Sequence, residues 1–110
     1  MKEARITMPL VGDFMTSDAS ERAHRPFSIR VAKRFGGYTA TKGFGGWVDA
    51  SGNLIEEAVM VYDIAATPDE AADADLVELA EWFGRELRQE AVYVRSFAGE
   101  VSIIDLSIQD

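Results

Sequence analysis

The sequence has no cysteine, one histidine and three prolines among 110 residues. The lack of cysteine excludes disulfides, thiolate nucleophiles and cysteine-bound metal centres, and it suits a reducing cytoplasm. A single histidine is a poor nucleus for a metal site. No apolar run reaches the roughly 20 residues of a membrane span, and none has the pattern of a signal peptide. We therefore predict one cytoplasmic domain over residues 1–110, with no membrane association, metal or cofactor.

Basic residues are scarce in the second part of the chain, although the whole sequence carries a net charge of −8. Residues 1–45 hold eight Lys or Arg against four Asp or Glu, whereas residues 46–110 hold three against fifteen. A field of this sign repels phosphate groups, because nucleic-acid and anionic-lipid binding both depend on Lys and Arg contacts. The charge pattern therefore predicts no direct binding of nucleic acid.

The first half of the sequence predicts a strand, a helix and a β-hairpin. Alternation predicts a strand over Glu3–Leu10, followed by a polar loop over Gly12–Arg25. Pro26 suits a first helical position, and Gly36 suits a left-handed cap after the apolar series Phe27, Val31 and Phe35. A hairpin follows, with strands over Tyr38–Asp49 and Leu54–Ile64 and a turn at Ala50-Ser51-Gly52-Asn53.

The second half predicts a helix and two more strands. Thr67 is placed to cap a helix that begins at Pro68, and Glu70 is spaced to complete a capping box. Helical spacing of Leu76, Leu79, Ala80, Phe83 and Leu87 gives this helix an apolar face. Strands are predicted over Ala91–Phe97 and Val101–Ile108. The order β-α-β-β-α-β-β predicts an α+β fold, a ferredoxin-like sandwich whose antiparallel sheet carries both helices on one face.

Three short segments resemble a group of small uncharacterised bacterial α+β proteins. They are Arg34-Phe35-Gly36-Gly37-Tyr38, Gly46-Trp47-Val48-Asp49-Ala50-Ser51-Gly52 and Gln89-Glu90-Ala91-Val92-Tyr93-Val94-Arg95, similar to the group's Arg-Phe-Pro-Gly, Gly-x-Trp and Gln-x-Ser-Val patterns. Gly36 stands where that group has proline. The resemblance implies the fold and no activity.

No set of residues forms a catalytic signature, and we predict no catalytic residues. His24 is expected to be an exposed loop residue between Arg22 and Arg25. The glycines around Gly43-Phe44-Gly45-Gly46 lead into a strand and not into a helix, so a phosphate-binding loop is disfavoured. Strand alternation separates Glu56 from Glu57 and Asp63, and it predicts solvated charges at those positions.

Two charged surfaces are the candidate binding sites. An anion-binding cluster around the first helix comprises Arg22, Arg25, Arg30 and Arg34, and this cluster is also placed to pair with the acidic helix of the same or a second chain. An acidic stripe along the second helix would bind a basic surface of a partner protein, with Asp69, Glu70, Asp73, Glu78 and Glu81 as the contact residues.

These features favour a non-enzymatic acidic module that docks on a basic surface as an inhibitor or adaptor. Small acidic proteins of this kind are similar in character to phage-encoded inhibitors of host defence, such as anti-CRISPR proteins. The alternative is a small ligand-binding protein or enzyme of the dimeric α+β barrel type. Its pocket would be lined by Tyr38, Trp47, Tyr62 and Tyr93, with His24 or Arg30 at the mouth. A homodimer is compatible with both hypotheses.

Overall fold

The computed structural model describes residues 1–10 and 17–106, with side chains in the first helix described from residue 22 onwards. The elements follow in the order β1 (Lys2–Pro9), α1 (Ser17–Phe35), β2 (Thr39–Val48), β3 (Leu54–Ala66), α2 (Asp73–Glu86), β4 (Ala91–Arg95) and β5 (Val101–Asp105). This order confirms the predicted one. Predicted loop residues 12–16 and the predicted strand end at Ile108 lie outside the described residues.

One five-stranded sheet has the order β2-β3-β1-β4-β5, and every neighbouring pair is antiparallel. The central strand β1 places Ile6 between Tyr62 of β3 and Val94 of β4. All three side chains are almost completely buried. The core therefore lies on this face of the sheet, under the two helices, as the ferredoxin-like prediction requires.

The hairpin between β2 and β3 matches its prediction closely. Asp49 closes the turn, because its Oδ1 accepts the backbone N–H groups of Ser51 and Asn53 at 2.9 Å. Gly52 has a φ of 85°, a left-handed conformation that glycine adopts without steric cost. The paired strands continue beyond Pro9, the last residue of β1, so the distal part of the hairpin projects from the three-stranded centre.

Helix α1 is longer than predicted, and the loop prediction for residues 17–25 is wrong. The helix begins at Ser17 and carries Pro26 in its interior. Pro26 is exposed, as is Arg22, whose carbonyl loses its usual helical donor. Water can satisfy that carbonyl, so packing of the buried face outweighs the proline penalty. The predicted end is confirmed, because Gly36 has a φ of 102° directly after Phe35.

Helix α2 begins later than predicted, and the capping box at Thr67 is wrong. The helix starts at Asp73, and its N-cap residue Ala72 makes no side-chain capping bond. Thr67 and Glu70 instead close a separate turn, in which the Glu70 N–H donates to the Thr67 carbonyl at 2.9 Å. The Thr67 hydroxyl also donates to Glu70 Oε1 at 3.0 Å. The predicted apolar face is confirmed, with Leu76, Ala80 and Phe83 buried and Leu79 and Leu87 partly buried.

Candidate functional site

An open cleft lies where α1 ends and β2 begins, beside the ends of β1 and β3. Its volume is about 320 Å³. Gly36 turns the chain sharply out of α1, and this turn carries Tyr38 to the rim, where its side chain is 38% exposed. The complete lining consists of Met1, Glu3, Phe35, Gly36, Gly37, Tyr38, Thr39, Asp63 and Ala65. The cleft thus combines two aromatic rings with two carboxylates.

One of these carboxylates is held by an arginine on the neighbouring strand. Arg5 lies opposite Asp63 in the sheet register. Its Nε donates to Asp63 Oδ1 at 2.8 Å, and its Nη2 donates to Oδ2 at 3.3 Å. The hydrogen bond and the charge of Asp63 raise the pKa of Arg5 above its usual value. This two-point contact fixes the Asp63 carboxylate at the edge of the cleft.

In the core between the helices and the sheet, His24 and Tyr62 form a buried polar pair. Nδ1 of His24 and the Tyr62 hydroxyl lie 2.7 Å apart and share a hydrogen bond. Burial raises the pKa of Tyr62 to about 12 and lowers the pKa of His24 below its usual value. Both groups are therefore neutral around pH 7. The prediction of His24 as an exposed loop residue is wrong, because the longer α1 turns it towards the sheet.

The aromatic pocket proposed from the sequence is assembled only in part. The rings of Tyr38 and Tyr62 meet edge to face with centroids 5.7 Å apart, and Tyr62 contacts His24. Trp47 lies instead near the turn of the hairpin, and Tyr93 lies on the sheet face opposite the helices. Within one chain, these two residues do not reach the Tyr38 cleft.

The basic cluster is divided by contacts within the chain. Arg34 Nε donates to Asp75 Oδ2 at 2.6 Å, which confirms the predicted pairing of the basic helix with the acidic helix. The guanidinium of Arg30 lies 3.9 Å from the centre of the Trp82 ring. Arg22 and Arg25 are exposed. Arg30 and Arg34, half of the predicted anion-binding cluster, therefore hold α1 against α2. Anion binding by the cluster stays a prediction.

The predicted acidic stripe is not one continuous helix face. Asp69 and Glu70 belong to the turn before α2. Asp73 accepts the Phe97 N–H at 2.7 Å and so fastens α2 to the turn between β4 and β5. Glu81 accepts a bond from Arg85, whereas Glu78 is exposed. Binding of a basic partner surface by these residues is untested and stays a prediction.

The glycines of β2 and the acidic residues of β3 form no binding site of their own among the described residues. Glycines 43, 45 and 46 lie inside β2, so they lead into no helix N-terminus. Glu57 and Asp63 share a face of β3, but they are six positions apart along the strand, which is about 20 Å. Within residues 1–10 and 17–106, no three His, Asp or Glu side chains converge on a metal-sized space.

Sequence reasoning missed the cleft because its residues come from three distant segments. Glu3, Phe35 and Asp63 have no shared spacing. The register of β1 with β3 brings Glu3 and Asp63 together, and Phe35 joins them because α1 packs on the sheet. The signal that could have located the cleft is Gly36-Gly37-Tyr38. This segment places a tyrosine directly after a helix cap, at the start of a strand.

Two solved structures with the same fold are phage proteins. One is a phage SAM lyase in complex with S-methyl-5'-thioadenosine, with a TM-score of 0.70 and 20% identity over 98% of this chain and 92% of that chain. Another is a phage SAM lyase in the apo state, with a TM-score of 0.63 and 21% identity over 98% of this chain and 91% of that chain. No protein-family model matches the sequence, and no curated protein matches it.

This likeness contradicts the non-enzymatic function predicted from the sequence. The inhibitor and anti-CRISPR predictions are wrong for the same reason, because the proteins that share nearly the whole fold are named as an enzyme. A likeness to phage proteins is supported. The comparison favours the alternative hypothesis of a small ligand-binding protein or enzyme.

Proposed function

We propose that this protein is an enzyme that binds S-adenosylmethionine and cleaves it to S-methyl-5'-thioadenosine. The observation that carries the proposal is the likeness over 98% of the chain to a phage SAM lyase that holds this thioadenosine. We place the candidate site in the Tyr38 cleft, because aromatic rings and carboxylates converge there.

The chemistry of the reaction sets demands on such a site. S-adenosylmethionine carries a positively charged sulfonium, and S-methyl-5'-thioadenosine is the neutral thioether that remains when the bond from sulfur to the amino-acid chain breaks. The bonding electrons stay on sulfur. Because a lyase uses no water, the substrate's own carboxylate attacks the carbon that loses the sulfur and closes a five-membered lactone, so one bond forms as one breaks and no proton has to be moved. Because positive charge leaves the sulfur, a site that replaces water with ring surfaces favours the transition state over the bound cation.

The residues of the cleft are suited to bind such a substrate. The ring of Tyr38 is exposed enough to stack on an adenine or to face a sulfonium, while Phe35 supplies an apolar wall below it. Glu3 places a carboxylate at the rim, where it attracts a cationic substrate, whereas the charge of Asp63 is balanced by Arg5. The net charge of −8 adds to this attraction over longer distances. A cytoplasmic location, where such a substrate would be met, stays a prediction.

The direct test is to incubate the purified protein with S-adenosylmethionine and to separate the nucleoside products by chromatography. We expect S-methyl-5'-thioadenosine to accumulate. S-adenosylhomocysteine is the control substrate, because its neutral sulfur is a poor leaving group and should give no product. Absence of the thioadenosine, together with no binding of it in calorimetry, would refute the proposed function.

A matched pair of substitutions tests the location of the site. Tyr38→Ala should weaken binding of the thioadenosine about tenfold, because stacking of a base on an aromatic ring is lost. Glu3→Gln should raise the KM for the cationic substrate. The control is Glu100→Gln, which makes the same change in the turn after β4, away from the cleft. Equal behaviour of the two Gln variants and unchanged binding by Tyr38→Ala would place the site elsewhere.

A further inference from the structure

The core contains a cluster of aromatic rings that links both helices to the sheet. The rings of Phe27 from α1 and Phe83 from α2 stack with centroids 4.5 Å apart. The edge of His24 meets Phe83 at 5.0 Å, and Phe27 meets Tyr62 at 4.8 Å. Tyr62 thus lies at the junction of α1 and β3, and His24 lies between it and α2.

Two members of this apolar cluster are polar, and burial of polar groups has a cost. His24 is 2% exposed and Tyr62 is 1% exposed. Their mutual hydrogen bond satisfies Nδ1 and the hydroxyl. Nε2 of His24 makes no hydrogen bond of good geometry with the described residues, and the nearby Pro9 backbone offsets the burial of the ring only in part. Apolar residues of similar size would fill the same space without leaving a polar atom unpaired. Packing alone therefore does not account for this pair.

The geometry of the hydrogen bond fixes the orientation of the Tyr62 ring. A phenylalanine ring at this position would be held by packing only, whereas the 2.7 Å contact with His24 anchors the far end of the tyrosine. Burial favours the neutral forms of both groups, so the hydrogen bond persists around pH 7.

The anchored ring is in turn a wall for a residue of the cleft. Tyr38 packs edge to face on Tyr62 at 5.7 Å, with an angle of 63° between the rings. Tyr38 is only partly covered and follows two glycines. Its backbone attachment therefore leaves the ring considerable freedom, and the contact with Tyr62 restricts it.

We propose that His24 and Tyr62 are positioning residues, which hold the Tyr38 ring in the orientation that receives the adenosyl part of the substrate. This inference rests on the proposed function for the identity of the ligand, but not for the effect on Tyr38. Neither positioning residue touches the ligand in this arrangement. The hydroxyl and the imidazole act through the ring contact, so their loss should change binding more than turnover.

The orientation of Tyr38 can be measured without any activity. The chain has three tyrosines, so incorporation of 3-fluorotyrosine gives one fluorine resonance each for Tyr38, Tyr62 and Tyr93. Single Tyr→Phe variants assign the three signals. We expect Tyr62→Phe and His24→Leu to shift the Tyr38 resonance, and His24→Gln to restore it in part because its amide can still bond the Tyr62 hydroxyl. Tyr93→Phe is the matched control, since Tyr93 lies on the opposite sheet face.

Binding and turnover then separate positioning from stability. With S-methyl-5'-thioadenosine as the probe, Tyr62→Phe should weaken binding about fivefold, because the apparent Kd rises as the binding-competent orientation of Tyr38 becomes less populated. In the cleavage assay, KM should rise while kcat stays close to its original value. A role in stability alone would lower the apparent kcat by reducing the folded fraction and would leave KM unchanged, which contradicts the proposal.

Each outcome decides one of the two proposals. If the unmodified protein neither binds the thioadenosine nor forms it from S-adenosylmethionine, the proposed function is wrong. The effect of His24 and Tyr62 on Tyr38 is then tested by the fluorine spectra alone. An unchanged Tyr38 resonance in folded Tyr62→Phe overturns the positioning role. This variant decides the matter even if His24→Leu fails to fold, because it removes only the hydroxyl.

Discussion

At the scale of single residues, His24 gives the fold a dependence on pH. Burial lowers the pKa of His24 in the folded protein, so the unfolded chain takes up the proton at higher pH. The free energy of unfolding should therefore be constant above about pH 6.5 and should fall as the pH drops below that value. We expect this loss in urea titrations between pH 7.5 and 5.5.

The comparison with His24→Gln isolates this effect from the carboxylates. The variant has no group that titrates in this range at position 24, so its stability should vary less between the two pH values. Parallel pH profiles for both proteins would show that protonation of His24 does not drive the loss. Circular dichroism at each urea concentration provides the measurement.

The burial of His24 was encoded in the sequence but hidden by its neighbours. His24, Phe27, Val31 and Phe35 lie on one helical face once the helix is continued through Pro26. The flanking arginines and the proline favoured a loop there. His24 is the only apolar-face position that the helical pattern of Phe27, Val31 and Phe35 gains before Pro26, so the pattern was too short to outweigh these local signals. The partner Tyr62 is 38 positions away, and no local pattern links it to His24.

At the scale of secondary-structure elements, Gly84 allows α2 to approach β4. A Cβ atom at this position would lie 2.7 Å from Cγ2 of Val92 and would also overlap the side chain of Leu106. Both neighbours are buried. Gly84→Ala gains about 1 kcal/mol of helix propensity, but overpacking of this kind costs about 1–3 kcal/mol. We expect a net decrease in stability, measured as a lower urea midpoint.

Gly37→Ala is the control for that substitution. Nothing lies within 4 Å of a Cβ at Gly37, and its φ is not in the left-handed region. The control should therefore be neutral or slightly stabilising, because alanine reduces the entropy of the unfolded chain. A gain in stability for Gly84→Ala would show that α2 can move away from the sheet at little cost.

The sequence predicted which elements exist better than where they begin. Apolar alternation and the Gly52 turn located the hairpin, since both signals are local. The start of α2 was misplaced by five residues, because Thr67 and Glu70 have the spacing of a capping box but use it to close a turn. The two signals are identical in sequence, and the contact of Asp73 with Phe97, which fixes the real start, is formed only by the tertiary fold.

At the scale of the whole molecule, the projecting hairpin carries an exposed apolar face. Phe44, Val48 and Leu54 share one face of it and are 84%, 65% and 63% exposed. This face continues the core side of the sheet beyond the helices, where an isolated two-stranded ribbon gains little stability by itself. The homodimer considered from the sequence stays a prediction, and this surface is where we expect it.

Analytical ultracentrifugation tests this expectation. The unmodified protein should sediment as an oligomer, and the double variant Phe44→Ser with Leu54→Ser should shift the distribution towards the monomer. The control is Ile103→Ser, which removes a 69% exposed apolar side chain from β5 at the opposite side of the sheet. A monomeric unmodified protein, or equal shifts for both variants, would contradict a role for the hairpin.

The position of β1 in the sheet also has a kinetic consequence. This strand alone joins the β2–β3 hairpin to the β4–β5 hairpin, and its Ile6 pairs with Tyr62 and Val94, far along the chain. Each hairpin can form early through local contacts, but the sheet closes only when two long loops have been brought together. Folding should therefore be slow for a chain of this length, and β1 should be the last strand to gain protection in pulsed hydrogen exchange.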